Sequence, residues 1–183
     1  MDAPFPLDGT TLVVGPSNVG KTQLTATTLD TWVERYGPAS CVVLEVAPTV
    51  ERNGKILGGH LTRFTAIPNG AYHGVFDAHA PRSAGGDDVE ALALAEANAV
   101  TAAEHIDAAP ADPAAVFVND ATIAFQSERT LVEGLTDYCD RADCAVLNAF
   151  ESDELGGEGP VSRNERAALD ALRAWADRVV DLS

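Results

Sequence analysis

The stretch Thr11-Leu12-Val13-Val14-Gly15-Pro16-Ser17-Asn18-Val19-Gly20-Lys21-Thr22 decides the reading of this chain. Its first part, Thr11 to Val14, is a short apolar run entering a glycine turn, as expected of a buried strand in a parallel sheet. From Gly15 to Thr22 the residues follow G-x-x-x-x-G-K-[ST] at every fixed position. Each fixed residue has a physical task. The glycines let the backbone curl so that several N–H groups point inward as an anion nest. A helix opening near Gly20 adds the positive end of its dipole. Lys21 is expected to reach the terminal phosphates of a bound triphosphate, and the Thr22 hydroxyl to ligate Mg²⁺. Pro16, Ser17, Asn18 and Val19 supply the backbone between the glycines, and Gln23 continues the contact surface into the first helical turn. A purely structural strand-to-helix turn has little use for a lysine and a threonine together. The chain keeps Lys21 while holding only one other lysine, Lys55.

Outward from this segment the pattern alternates. A helix is predicted to about Tyr36, with Leu24, Thr28, Trp32 and Val33 near one side, ended by Gly37-Pro38. Cys41 to Val46 reads as a second strand, Leu61 to Ile67 as another, and Pro68 to Gly86 as a long loop or lid. Asp87-Asp88 open a helix whose stripe of Leu92, Ala95, Ala99, Ala103 and Ile106 runs down to Ala109-Pro110. Ala114 to Val118 is a third apolar strand ending in Asn119-Asp120. A helix from Ser127 to Arg141, a strand Cys144 to Leu147 ending at Asn148, a helix from Ser162 to Ala176 and a strand Arg178 to Leu182 complete the chain. Strands alternating with helices predict one α/β domain over residues 1–183, with a mostly parallel sheet covered on both faces.

A second element belongs with the first. Ala115-Val116-Phe117-Val118-Asn119-Asp120 is an apolar strand ending in an acid, the shape of a Walker-B strand. Asp120 is expected to stand beside the Gly15–Thr22 turn and hold Mg²⁺ directly or through water. Together the two elements predict binding of a nucleoside triphosphate, ATP with Mg²⁺. Guanine-specific binding fits poorly, because no N-K-x-D stretch occurs and Leu147-Asn148-Ala149-Phe150 lacks its lysine and aspartate. Asp153-Glu154-Leu155-Gly156 spells D-x-x-G but lies beyond the strand end and reads as loop.

The layout resembles the RecA/KaiC-like branch of P-loop ATPases. That resemblance implies a three-layer fold in which another strand lies between the P-loop strand and the Walker-B strand. It also implies a Mg-dependent ATPase. The family often carries a catalytic glutamate after the neighbouring strand, and Glu45 in Val43-Leu44-Glu45-Val46 resembles it. Asn148 is similar to the polar sensor that the family places at a strand tip, and Ala176 to Leu182 resembles its closing strand. The chain departs from the family in lacking an acidic pair at the Walker-B end, since Ala121 follows Asp120, and in lacking DNA-binding loops. A narrower resemblance is to cobinamide kinase/guanylyltransferase. Lys55 to Arg63, containing His60, is loosely similar to the segment bearing that family's guanylylated histidine, and Asn148 with Gly156-Gly157 and Pro160 to one of its loops. It implies a small-molecule acceptor. A nucleotide-dependent regulatory switch, with a protein partner and little turnover, is the third reading.

Composition sets the setting. The chain has 183 residues, 46% of them hydrophobic, and a formal net charge of -16. Abundant acid, high alanine and almost no lysine predict a surface adapted to high salt and a halophilic source. The same charge opposes binding to nucleic acid. No apolar run of eighteen residues occurs and no signal sequence is evident, so a cytoplasmic protein off the membrane is expected, with a homo-oligomer left open. Cys41, Cys139 and Cys144 lack zinc-site spacing and read as buried reduced thiols. His73, Asp77 and His79 read as exposed loop rather than metal ligands. Arg82 reads as surface or as a phosphate contact, and Arg163 and Arg166 as phosphate contacts or partners of Glu165 and Asp170. Trp32 and Trp175 read as core or interface anchors.

Overall fold

The computed structural model describes residues 3–48, 50–52, 54–57, 59–128, 132–152 and 158–183. In chain order the elements are β1 Gly9–Gly15, α1 Lys21–Tyr36, β2 Cys41–Glu45, β3 Val50–Arg52, β4 Lys55–Leu57, a 3₁₀ turn Leu61–Arg63 and β5 Tyr72–Val75. They continue with α2 Pro81–Ala84, α3 Asp88–Ala108, β6 Ala115–Asn119, a 3₁₀ turn Ala121–Phe125, α4 Glu133–Cys139, β7 Cys144–Phe150, α5 Pro160–Trp175 and β8 Arg178–Asp181.

Six strands form one parallel sheet in the order β5-β2-β6-β7-β1-β8, while β3 and β4 pair as a separate antiparallel ribbon. The continuous apolar runs of β1, β2, β6 and β7 follow from this placement. Each is an interior strand buried on both faces, so both of its alternating sets must be apolar. On one face Leu12, Val14, Val42, Leu44, Val116, Val118 and Leu147 pack with Leu169 and Leu172 of α5 and Ala102 of α3. On the other, Val13, Val43, Phe117 and Val146 pack with Ala26, Leu29 and Trp32 of α1. The result is the expected three-layer α/β architecture of RecA-like topology. The strand β7 lies between β1 and β6, in register with both. The C-terminal ends of β1, β2, β6 and β7 therefore meet along one edge, where parallel α/β sheets bind ligands.

Four local expectations are corrected. Leu61 to Ile67 is not a strand. Only Leu61 of its first four residues is buried, and the Phe64 and Thr65 N–H groups turn back onto the Leu61 carbonyl at 2.8 and 3.0 Å. The segment packs over α1 instead of extending the sheet. Residues 68–86 are not a plain loop, for they hold the edge strand β5, paired with β2, and the short α2. An edge strand with burial on one side only leaves little apolar signal. The helix expected from Ser127 spans Glu133–Cys139, and the chain before it forms a wholly buried 3₁₀ turn, Ala121–Phe125, between α3 and α5. Finally, β7 continues two residues past Asn148 to Phe150, so Asn148 lies within the strand and not at its tip. Among the described residues, no helix is long and apolar enough to cross a membrane.

Candidate functional site

The turn from Gly15 to Lys21 uses three positive-φ residues, Gly15 (φ 149°), Asn18 (φ 62°) and Gly20 (φ 101°). Asparagine tolerates that region better than most residues and glycine enters it freely. The turn delivers the chain into α1, whose first turn has no acidic residue and no side-chain cap. Four backbone N–H groups at this helix start lack helical partners and carry the positive dipole end. Beside them Lys21 is 9% exposed, its ammonium donating to the Pro16 carbonyl at 2.6 Å and lying 5.9 Å from the centre of the Phe150 ring. Burial lowers the Lys21 pKa, and the nearby Asp120 carboxylate pulls it partly back.

A cleft of about 280 Å³ opens over this turn. Ser17, Asn18, Gly20, Lys21, Thr22 and Gln23 form one wall, and Asp120, Asn148, Phe150, Arg63 and Phe64 the other. Its volume is at the low end for ligand sites.

Asp120 follows β6 in a left-handed conformation, φ 61°. Its backbone N–H donates to Asn148 Oδ1 at 2.9 Å, which fixes an otherwise unfavourable turn and aims the acid at the cleft. Among the described residues its carboxylate accepts no hydrogen bond. Burial first, then the Glu165 carboxylate, raise its pKa from 3.8 to about 6, while Lys21 and Arg82 oppose the rise.

A closed polar network runs beneath the cleft. Asn148 Nδ2 donates to Thr25 Oγ1 at 3.0 Å and to Asn119 Oδ1 at 2.9 Å, and the Thr25 hydroxyl donates to the Lys21 carbonyl at 3.0 Å. Asn119 Nδ2 donates to Glu45 Oε2 at 2.9 Å and to the Gly59 carbonyl at 2.8 Å. The Leu61 N–H donates to Glu45 Oε1 at 2.7 Å. Fixed backbone groups at both ends, the Asp120 and Leu61 N–H, leave each amide a single consistent orientation. The network thus links the start of α1 to the turn that carries Arg63 and Phe64. Arg63 lies across Gly59 (φ 119°), where an added Cβ would approach its Cδ to 2.9 Å.

Glu45 is the candidate water-activating group, and the network occupies both its oxygens. It is 0% exposed, does not line the cleft, and burial raises its pKa against the hydrogen bonds from Asn119 and Leu61. Its nearest basic neighbour is His73, with Nε2 at 3.9 Å from Oε1.

One acid is paired otherwise than the sequence suggested: Glu165, offered there as a local partner of Arg163 or Arg166, is met by Arg82. Glu165 lies on the buried stripe of α5 formed by Val161, Ala168, Leu169 and Leu172, and is 4% exposed. Its Oε1 accepts from Thr122 Oγ1 at 2.8 Å and its Oε2 from Gln126 Nε2 at 3.1 Å and from Arg82 Nη1. The signal was available: an acid on the apolar stripe of an amphipathic helix is buried and needs partners.

The remaining candidates lie apart from the cleft. The His60 ring nitrogen Nε2 stands 3.2 Å from the Ala47 carbonyl. His79 has its backbone clamped by Asn98 of α3, at 2.8 and 3.0 Å. Arg163 hydrogen-bonds the Glu158 carbonyl at the start of α5. Trp32 is core, and Trp175 donates to Asp140 at 2.9 Å. The three cysteines are free and buried. Residues 153–157, with the D-x-x-G letters and Gly156-Gly157, and Gly58 lie outside the described residues.

The residue types suit a hard cation. Mg²⁺ takes one or two protein oxygens and fills its other positions with water and phosphate. The Thr22 hydroxyl and the unpaired Asp120 carboxylate face the same cleft, and the crowding of Asp120 by Glu165 is what a divalent charge relieves. Among the described residues no group of three or more His, Cys, Asp or Glu side chains is arranged to hold a metal on its own. Comparison of the chain with protein-family models and with curated proteins finds no match for either.

Proposed function

We propose that this protein binds a nucleoside triphosphate, ATP, together with Mg²⁺ in the cleft above Gly15–Thr22, and acts as a Mg-dependent nucleoside-triphosphatase of the RecA/KaiC-like kind. The observation that carries the proposal is the convergence of Lys21, Thr22, Asp120 and Asn148 on one cleft at a helix start. In this reading Gly15 to Thr22 wraps the phosphates with backbone N–H groups. Lys21 exchanges the Pro16 carbonyl for the terminal phosphates. Thr22 and Asp120 would hold the cation, which would supply positive charge against the phosphate oxygens. Asn148 keeps Asp120 in place by gripping its N–H, and Gln23 adds a polar contact at the cleft wall.

A second reading has its own support. Because both Glu45 oxygens are engaged and inaccessible, the resting site offers no ready base for water. That favours transfer to a small-molecule acceptor, as in a kinase or nucleotidyltransferase, or a switch with little turnover. His60, engaged at the Ala47 carbonyl and outside the cleft lining, lends no support to a guanylyl-histidine route.

Calorimetric titration with Mg·ATP and Mg·GTP, followed by phosphate release with and without acceptors, separates these readings. Binding that Lys21→Ala reduces at least a hundredfold is expected. Equal affinity in that variant removes the assignment of the cleft.

A further inference from the structure

Of 12 lysines and arginines in a chain with 28 acidic residues, Lys21 and Arg63 line this cleft, and Arg82 stands behind its wall against the ring of Phe150. Arg82 is the one whose position a phosphate cradle does not explain. It stands on α2, in the segment joining the edge strand β5 to α3. Exposed carboxylates abound on this surface, yet its side chain is only 21% exposed and turns inward. It pairs with the buried Glu165, reaches Ser162 Oγ at 3.4 Å and lies 5.7 Å from the centre of the Phe150 ring. The same ring is 5.9 Å from the Lys21 ammonium. Sharing one ring puts the two cations within about 12 Å of each other, a gap that rotation of a long arginine side chain closes in large part.

We propose that Arg82 contacts the terminal phosphate of the bound nucleotide from within the same chain, and that Glu165 holds it aside until the nucleotide arrives. This rests on the nucleotide reading of the cleft. Three features support an exchange of partners over a permanent tether. The Thr122 hydroxyl and Gln126 amide also donate to Glu165, so its carboxylate keeps two hydrogen bonds when the guanidinium leaves. Among the described residues the Gln126 Oε1 atom is buried with no partner, so this shell is incomplete there, unlike the satisfied network of Glu45, Asn119 and Asn148. A triphosphate brings several negative charges and paired oxygens that suit a guanidinium fork, against the single carboxylate that now holds it.

The test compares Mg·ADP with Mg·ADP plus aluminium fluoride, a stand-in for the transferring phosphoryl group, by calorimetry on the full chain. Arg82→Ala is expected to weaken the fluoroaluminate complex at least tenfold while changing ADP affinity less than threefold. Arg82→Lys falls between. Glu165→Gln, which releases the guanidinium, is expected to tighten the fluoroaluminate complex severalfold, and the double variant to behave as Arg82→Ala. Opposite signs for the two single variants, with Glu165→Gln favouring fluoroaluminate over Mg·ADP alone, are the signature, because loss of the Glu165 charge beside Asp120 tightens both ligands alike. A structural tether moves both the same way, because each breaks one bridge between α2 and α5. Weakening by both variants, or equal loss for ADP and fluoroaluminate in Arg82→Ala, overturns the proposal and leaves the nucleotide site standing. Should Glu165→Gln fail to fold, Thr122→Val serves as the second arm: it removes one of the two hydrogen bonds left to Glu165 when the guanidinium departs, so it must weaken the fluoroaluminate complex in the natural chain and leave it unchanged in the Arg82→Ala background. No binding of either ligand by the unaltered chain refutes the nucleotide site and this role together.

Discussion

Replacing Asp120 with asparagine should make the ligand-free fold more stable at neutral pH while abolishing its response to Mg²⁺. Folding raises the pKa of this carboxyl from 3.8 to about 6, first through burial and then through the facing Glu165. A raised folded pKa means that the native state favours the protonated form. The associated stability is therefore full below about pH 3.8 and is lost as the pH rises through about 6. At about 1.4 kcal/mol per pH unit that span amounts to about 3 kcal/mol. Water entering the open cleft screens it to about 1–2 kcal/mol. Asparagine, neutral at every pH, escapes the loss. Denaturant unfolding of both proteins at one fixed salt concentration, from pH 4 to pH 8, should show curves that converge at the acid end and separate by about 1–2 kcal/mol at pH 8. Adding Mg·ATP at a hundredfold excess over its Kd should then stabilise the natural protein by about 2.7 kcal/mol and the variant far less. A gap of constant size across the pH range, or a variant less stable at pH 8, would refute the assignment of charge crowding to this residue.

Other outcomes follow from the same geometry. Mg²⁺ affinity should fall as the pH drops through about 6, because Asp120 must shed its proton to hold the cation; titration calorimetry at pH 5.5 and 8 checks this. Glu45→Gln sets an NH₂ group against the Leu61 N–H or the Asn119 amide, and should lower stability by about 1–3 kcal/mol while retaining nucleotide binding. Phosphate release as fast as in the natural chain would remove any part for Glu45 in activating water. Asn148→Ala strands the Asp120 N–H, Asn119 Oδ1 and Thr25 hydroxyl partners. It should lower stability by about 2 kcal/mol or more and weaken Mg²⁺ binding more than ADP binding, as read by calorimetry with and without the metal.

The sheet was legible because its interior strands leave no choice. A run such as Val13-Val14 or Val116-Phe117-Val118 must be covered on both faces, and in a chain whose strands alternate with helices a parallel sheet between two helical layers does this. The Gly15–Thr22 turn was legible because each of its letters is fixed by backbone geometry. What escaped was decided at long range. Edge strand β5 has a burial pattern carrying no rhythm of its own, and its pairing with β2 defines it. Asn148 was found, but its place inside β7 depends on Gly15 facing Phe150 across the ladder. The burial of Glu45 is likewise invisible locally, since it follows from a turn sixteen residues on that returns its Leu61 N–H. Arg82 and Glu165 stand 83 positions apart, and no local pattern joins them, although the acid on the apolar stripe of α5 announced a missing partner.

The three thiols give the molecule an internal gauge. Cys41 and Cys144 stand across Ala115 in the ladder, two strand spacings apart, about 9–10 Å, too far to be bridged. Burial pushes their pKa values up to about 12, and that of Cys139 upward as well, so none is nucleophilic at ordinary pH. Alkylation of Cys41 and Cys144 under native conditions therefore proceeds only when the sheet itself opens, whereas Cys139, at the end of α4, reports the opening of that short helix. The rate at which a maleimide consumes the two sheet sulfurs then reads out how often the central layer comes apart, and the third sulfur how often α4 lifts away.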